Sequence, residues 1–159
     1  MNIDIIAVGK IKEKYLSEGV AEYMKRLSRF CRISVAAVDD EKAPEGISAA
    51  EENRIRHIEG ERILARIREG SCKVALDVKG TAMDSEKFAD MLRKQFLSGK
   101  PDITFIIGGS IGLGGNVLQN VDLKLSMSAM TFPHQLTRII LLEQVYRAFK
   151  IINNEPYHK

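Results

Sequence analysis

The amino-acid sequence predicts an α/β fold, a single domain over residues 1–159 built on a parallel β-sheet. Short apolar runs alternate with segments whose apolar residues recur at helical spacing, which is typical of parallel sheets with helices on both faces. The fourth apolar run leads directly into a glycine-rich loop, Gly108–Gly115. The chain is 45% hydrophobic and 28% charged, which excludes a disordered or fibrous protein.

The first half of the chain predicts two strands and two helices. The strands are the apolar runs Ile3–Val8 and Ile33–Val38, and the first helix covers residues 15–30 between them. Ser48 and Glu51 form a capping box that opens the second helix, and Gly70 ends it.

The second half continues the alternation with shorter elements. Three further strands are predicted at Val74–Val78, Ile103–Ile107 and Leu123–Ser126. The helices are predicted at Ser85–Ser98, at Val117–Asn120 and from Pro133 to about Ile151. Proline suits the first turn of a helix, where its missing N–H has no partner to lose.

The net charge of +3 is concentrated near the C-terminus. Residues 124–159 hold five Lys and Arg against two Asp and Glu, whereas the rest of the chain is balanced. Such an electropositive end could hold a phosphate backbone, or it could be an ordinary solvated helix face. The charge pattern leaves both interpretations open.

The spacing of the cysteines and histidines indicates the cellular compartment and bears on metal binding. Cys31 and Cys72 lie 41 positions apart without a C-x-x-C motif, which indicates reduced thiols in a cytoplasmic protein. The N-terminus lacks the features of a signal peptide, and no apolar run approaches the ~20 residues of a membrane span. His57, His134 and His158 are scattered, so no metal site is predicted.

The glycine-rich loop was compared with three known templates. The Walker pattern fails because Gly115 stands where lysine is required, and the dinucleotide fingerprint fails because Val117 replaces its third glycine. Gly108-Gly109-Ser110-Ile111-Gly112 does match the G-x-S-x-G elbow of serine hydrolases, with Asp122 and His134 following in order. A serine hydrolase using Ser110 therefore remains an alternative.

The C-terminal third contains the most unusual composition. Small residues and methionines fill the run from Leu125 to Gln135. They could pack the core, or they could form an apolar slot that suits an adenosine with a thioether tail. The last helix is apolar around much of its circumference, which predicts burial inside the fold or against a second subunit.

Several motifs together resemble the RlmH family of SPOUT-class methyltransferases, which methylate N3 of a pseudouridine in large-subunit (23S) ribosomal RNA. The motifs are Ala7-Val8-Gly9-Lys10, Asp40-Glu41-Lys42-Ala43-Pro44, Phe105-Ile106-Ile107-Gly108-Gly109-Ser110, Met130-Thr131-Phe132-Pro133-His134-Gln135, Glu143-Gln144-Val145-Tyr146-Arg147-Ala148 and Pro156-Tyr157-His158-Lys159. The resemblance covers the whole chain.

The resemblance implies a fold, a cofactor and partners. The fold is an α/β trefoil knot with the C-terminal helix threaded through a loop, and the active form is a homodimer whose partner subunit completes the acceptor site. S-adenosylmethionine lies in the knot, and the substrate is the assembled ribosome. The implied cofactor contacts are Leu76, Gly108, Met127, Ser128, Ala129, Met130, Thr131 and Phe132.

Removal of the N3 proton requires a base or a group that stabilises the developing anion. His158 is the first candidate for the general base or proton relay. Tyr157 is the candidate for orienting the pseudouridine ring, and Arg147 and Lys159 are the candidates for holding phosphates of the RNA. Glu143 lies four residues before Arg147 and is interpreted as its ion-pair partner. A non-catalytic ribosome-associated binder is the second alternative.

Overall fold

The computed structural model describes residues 1–157. Its elements in chain order are β1 (Asn2–Val8), α1 (Lys14–Leu27), β2 (Arg32–Val38), α2 (Ala49–Leu64), β3 (Cys72–Ala82), α3 (Ser85–Leu97), β4 (Ile103–Ile107), α4 (Gly115–Leu118), β5 (Leu123–Ser126) and α5 (His134–Ile152). The five strands form one parallel sheet in the order β2-β1-β4-β3-β5. The predicted parallel α/β architecture is confirmed.

The sheet is covered on both faces because its central strands are apolar throughout. All five residues of β4 are buried. Along β1, Ile3 and Ile5 belong to the larger core, whereas Ile6 and Val8 belong to the smaller one. Helices α1, α3 and α5 supply the larger core, and α2 and α4 supply the smaller. Alternate side chains of a strand point to opposite faces, so one apolar run serves two cores.

Helix starts follow the capping signals in the sequence, with differences in detail. Ser48 caps α2, and its hydroxyl accepts a hydrogen bond from the Glu51 N–H at 3.2 Å. The Glu51 carboxylate binds Arg54 instead of returning to the Ser48 backbone, so half of the capping box forms. Pro133 occupies the N-cap position of α5, one residue before the predicted first turn.

The structure corrects the predicted bounds of β3, which is 11 residues long. Both Leu76 and Thr81 pair with Leu125, so the four residues between them bulge out of the ladder. A side chain at Gly80 would place its Cβ 2.6 Å from the Lys124 carbonyl carbon, so the close approach of the two strands requires glycine there. The bulge directs residues 77–80 toward the carboxyl edge of the sheet.

Helix α5 is buried between α1 and α3, as its apolar circumference predicts. Phe149 stacks between Phe30 and Phe96, with ring centroids 5.2 Å and 5.6 Å away. The threading of this helix through a trefoil knot stays a prediction. Within residues 1–157, no helix is both long enough and apolar enough to cross a membrane.

Candidate active site

A cleft of about 540 Å³ opens at the carboxyl edge of the sheet. Its walls come from the end of β3, the loop after β4, the segment between β5 and α5, and the first turn of α5. Ligands of open α/β sheets bind at this edge, where the loops after neighbouring strands converge. The volume falls within the usual range for small-molecule sites, about 300–1,000 Å³.

The glycine loop after β4 is tightly folded. The Gly112 N–H donates to the Gly109 carbonyl at 3.1 Å, and Gly112 has a φ of 81°. A Cβ at Gly108 would lie 2.8 Å from the Gly112 carbonyl carbon, so the turn leaves no room for a side chain. The Arg56 guanidinium on α2 donates a hydrogen bond to the Ile111 carbonyl at 2.7 Å, which attaches the glycine loop to α2.

The segment after β5 forms the apolar wall of the cleft. Ser128 accepts a hydrogen bond from the Met130 N–H at 2.9 Å, and its own carbonyl accepts from the Ser126 hydroxyl at 3.2 Å. Met130 is 74% exposed and Phe132 is 38% exposed. These large apolar side chains lie at the mouth of the cleft with little protein covering them.

Seven of the eight predicted cofactor contacts line the cleft. They are Leu76, Gly108, Met127, Ser128, Met130, Thr131 and Phe132. Ala129 lies in the same segment but is exposed and does not line the cleft as described. The sequence interpretation missed Arg56, Asp77 and Lys79, which also line it. Nothing in the periodicity of β3 signals the bulge that carries Asp77 and Lys79 there.

His134, the first residue of α5, also lines the cleft and lies beside the end of β1. A Cβ built on Gly9 would lie 3.8 Å from both His134 Nε2 and Asp40 Cγ. Partial burial lowers the pKa of His134, the Arg138 charge lowers it further, and the Asp40 carboxylate opposes them. The imidazole is therefore held in its neutral form at the wall of the cleft.

Three of the five bases near the C-terminus are engaged with other groups of the protein. Arg138 is 2% exposed and donates to the Val8 carbonyl at 2.9 Å and to the Gly9 carbonyl at 2.5 Å. Arg147 pairs with Glu143, and Lys150 pairs with Glu155. Lys124 is exposed on β5, and Lys159 lies outside the described residues.

Two of the three predicted catalytic residues form a separate cluster on α5. The Tyr157 hydroxyl donates to Glu143 Oε1 at 3.2 Å, and the Arg147 guanidinium lies 4.8 Å from the centroid of the Tyr157 ring. His158 lies outside the described residues. Arg147 follows His134 by thirteen positions, which is about 20 Å along a helix. Arg147 therefore lies away from His134, whereas Glu143 is six positions, about 9 Å, from Thr137 in the cleft wall.

The hydrolase triad is not assembled in the described structure. Ser110 is exposed on the glycine loop, at the carboxyl edge of the sheet. Asp122 exchanges hydrogen bonds with the Lys73 backbone, and Lys73 pairs with Thr104 near the opposite edge. Thr104 and Gly108 are four residues apart on one strand, or about 13 Å. Asp122 is thus too far away to orient a histidine beside Ser110.

No group of three or more His, Cys, Asp or Glu side chains within residues 1–157 is arranged to hold a metal ion. Cys31 and Cys72 are free thiols. Burial raises the pKa of Cys31 to about 11, so this thiol stays protonated and behaves as a core side chain.

The chain is similar to known proteins over its full length. A family model described as "Predicted SPOUT methyltransferase" matches residues 1–158. Two relatives named "Ribosomal RNA large subunit methyltransferase H", from Acetivibrio thermocellus and Carboxydothermus hydrogenoformans, are 56% and 58% identical over 159 residues and align over the full length of both chains.

The structure also resembles a solved protein at low sequence identity. A probable methylase family protein from Haemophilus influenzae Rd KW20 superposes with a TM-score of 0.52 at 13% identity. The match covers 99% of this chain and 70% of the other. At this identity the likeness concerns the fold alone.

Proposed function

The chain belongs to the SPOUT methyltransferase family and is a methyltransferase, and on that premise we propose that it methylates N3 of a pseudouridine in large-subunit ribosomal RNA with S-adenosylmethionine as donor. The observation that carries the proposal is the agreement between full-length relatives bearing a ribosomal RNA methyltransferase name and the cleft at the carboxyl edge of the sheet.

The residues of the cleft fit an adenosine-containing methyl donor. A Cβ at Gly108 would meet the Gly112 backbone at 2.8 Å and one at Gly109 would meet Val8 Cγ1 at 3.0 Å, so glycine at both positions lets the loop fold tightly at the base of the cleft. Leu76, Met127 and Phe132 offer apolar contacts of the kind that an adenine ring and a thioether require. When bound, S-adenosylmethionine supplies an electrophilic methyl group on a sulfonium. The chain itself must then hold the acceptor in line and take up the N3 proton.

The acceptor side is proposed to come from the C-terminal residues. His158 is the candidate base or proton relay, Tyr157 orients the base ring, and Arg147 contributes positive charge toward the RNA. Arg147 is already engaged with Glu143 and with the face of the Tyr157 ring. A role in positioning Tyr157 therefore accompanies any contact of Arg147 with phosphate.

The separation of the two groups supports a homodimer. Arg147 lies about 20 Å along α5 from His134 in the wall of the cleft, and we propose that a partner subunit brings its own C-terminal residues to the cleft. Met130, Phe132 and Leu136 expose apolar side chains at the N-terminal end of α5. An uncovered apolar surface of this kind is typical of a subunit interface.

The compartment, the catalytic domain and the form of the acceptor are also proposed. A cytoplasmic location is proposed, and the free thiols of Cys31 and Cys72 support it, because a reducing compartment keeps thiols unpaired. Residues 1–159 are proposed to act as one catalytic domain, because every described strand joins the same sheet. The resemblance to RlmH-type enzymes favours the assembled ribosome over free RNA as the acceptor.

Transfer of labelled methyl groups tests the proposal. Ribosomes from cells that lack the protein provide an unmodified acceptor, and free ribosomal RNA is assayed in parallel. Label on ribosomes alone is expected; label on neither acceptor, with the donor demonstrably bound, would contradict the proposed acceptor. Ser110→Ala separates the hydrolase alternative, because a methyltransferase retains activity without that hydroxyl. Binding of S-adenosylmethionine at micromolar concentration counts against a non-catalytic binder.

A further inference from the structure

Tyr157, the last residue that the structure describes, is held on α5 by three contacts. Its hydroxyl donates to Glu143 Oε1 at 3.2 Å. Its ring meets Tyr146 edge-on, with centroids 5.1 Å apart. The Arg147 guanidinium lies 4.8 Å from the ring centroid, at cation–π distance. A residue next to the C-terminus is thus attached more firmly than the usual frayed end of a chain.

Glu143 is the centre of this arrangement. Its Oε1 accepts from both Tyr157 and Arg147, and its Oε2 accepts from the Gln144 amide at 2.7 Å. The Glu143 side chain is 18% exposed, so these bonds are largely shielded from water. A shielded carboxylate with three donors has one preferred geometry, and it imposes that geometry on its partners.

The protonation state of Tyr157 supports the same arrangement. Burial raises the pKa of Tyr157 to about 12, and the neighbouring Tyr23 and Glu143 raise it as well. At neutral pH the phenol therefore keeps its proton and donates it to the carboxylate.

A second line of contacts links this cluster to the cleft of the same protomer. The Gln144 carbonyl oxygen accepts from the Ser85 hydroxyl at 2.8 Å. Gln144 and Met127 line a common small cavity, and Met127 also lines the cleft. Glu143 therefore connects to both the C-terminal residues and the wall of the proposed donor site.

We propose that Glu143 is a positioning residue, which fixes Tyr157 for its contact with the acceptor base. Glu143 touches neither the cleft nor, by this proposal, the reacting atoms, and its effect passes through Tyr157 and Arg147. The proposal rests on the proposed function, because it assumes that the C-terminal residues act on the acceptor.

Helix α2 offers a control on the opposite face of the sheet. Glu51 and Arg54 are also a glutamate and an arginine on one helix, three residues apart, with Arg54 Nη2 2.7 Å from Glu51 Oε1. Their side chains are 41% and 58% exposed, and α2 packs on the smaller core, whereas Tyr157 packs against the larger one. Glu51→Ala thus removes a similar ion pair away from Tyr157.

Digestion of the intact protein by a carboxypeptidase tests the attachment without any assay of activity. Mass spectrometry follows the removal of residues up to and including Tyr157. Glu143→Ala is expected to speed this removal about fivefold or more. Glu143→Gln is expected to be intermediate, because its amide oxygen still accepts from the phenol, and Glu51→Ala should match the wild type. Equal rates for Glu143→Ala and Glu51→Ala would overturn the proposal.

Turnover on ribosomes tests the consequence for the reaction. Glu143→Ala should lower kcat about tenfold or more at saturating donor while donor affinity stays within about twofold, and Glu143→Gln should recover part of the loss. A kcat for Glu143→Ala equal to that of Glu51→Ala contradicts the proposal. An inactive wild type would contradict the proposed function instead, and the digestion rates would still decide whether Glu143 holds Tyr157.

Discussion

Arg138 on α5 donates a hydrogen bond to the carbonyl oxygen of Gly9, 129 residues earlier, at 2.5 Å. The same guanidinium binds the Val8 carbonyl, and the side chain is 2% exposed. A single buried arginine therefore joins the start of the last helix to the end of the first strand. His134 lies one helical turn earlier on α5, so this contact also fixes one wall of the cleft.

Replacement of Arg138 by methionine should destabilise the fold by about 2–4 kcal/mol. The substitution leaves two main-chain carbonyl groups without their donor, and this cost exceeds the gain from removing a buried charge. Thermal and denaturant unfolding measure the difference, with the exposed Arg93→Met as control. An Arg138→Met protein as stable as the control would show that these hydrogen bonds contribute little.

Glu59 predicts a specific pH dependence of stability. The carboxyl group is 4% exposed, its Oε2 has no hydrogen-bond partner, and burial raises its pKa above the ordinary 4.5. Because the pKa of Glu59 is higher in the folded protein than in the unfolded chain, protonation of this carboxyl group favours folding. This contribution to the free energy of unfolding is fully present below pH 4.5 and is lost as the pH rises through the folded-state pKa.

Glu59→Gln removes that titration. The free energy of unfolding of the variant, relative to the wild type, should therefore increase as the pH rises from about 4 to 7. Urea unfolding at several pH values measures it. A difference between the two proteins that is constant over this range would show that Glu59 ionises normally in the fold.

Two glycines of the same loop should respond differently to alanine. A Cβ at Gly108 would lie 2.8 Å from backbone atoms of the turn, whereas a Cβ at Gly115 meets only Gln119 Nε2 at 3.9 Å. Gly108→Ala must shift the loop and should weaken S-adenosylmethionine binding about tenfold or more. Gly115→Ala should leave binding unchanged. Titration calorimetry compares the two, and equal affinities would place the donor elsewhere.

Mixed subunits test the proposed homodimer. Gly108→Ala impairs the cleft, and deletion of residues 157–159 removes the C-terminal groups. If one subunit supplies the cleft and its partner the C-terminal residues, co-expressed mixtures of the two impaired proteins should regain about a quarter to a half of wild-type turnover, when the donor concentration is well below the Kd of Gly108→Ala. A mixture that stays inactive, although size measurements show that mixed dimers form, would indicate that each protomer uses its own C-terminal residues.

The sequence predicts the strands best where apolar runs have clear ends. Ile103–Ile107 and Leu123–Ser126 are found with their predicted bounds. The bulge in β3 could not be predicted, because it depends on how the residues on either side of 77–80 pair with β5, some 45 positions later. Periodicity reports which face of a strand is buried and carries no information on register between distant segments.

The loops that form the candidate site could be predicted from the sequence, whereas the contacts between distant side chains could not. The glycine loop and the 127–132 segment converge because each follows a parallel strand, which the strand pattern already implies. Arg138 was counted among surface bases because charge counting cannot distinguish a buried arginine that binds carbonyl oxygens from a solvated one. The contact between Glu143 and Tyr157 spans fourteen positions and a change of chain direction, which helical spacing alone does not reveal.

The identity of the methylated nucleoside tests the central claim most directly. Ribosomes from cells lacking the protein are incubated with it and with labelled S-adenosylmethionine, and their large-subunit RNA is digested to nucleosides and separated with mass detection. We predict label in N3-methylpseudouridine, and loss of that label with His158→Ala while donor affinity is nearly unchanged. Label in another nucleoside would contradict the proposed acceptor. Turnover by His158→Ala within about threefold of the wild type would contradict the proposed role of His158 as general base or proton relay.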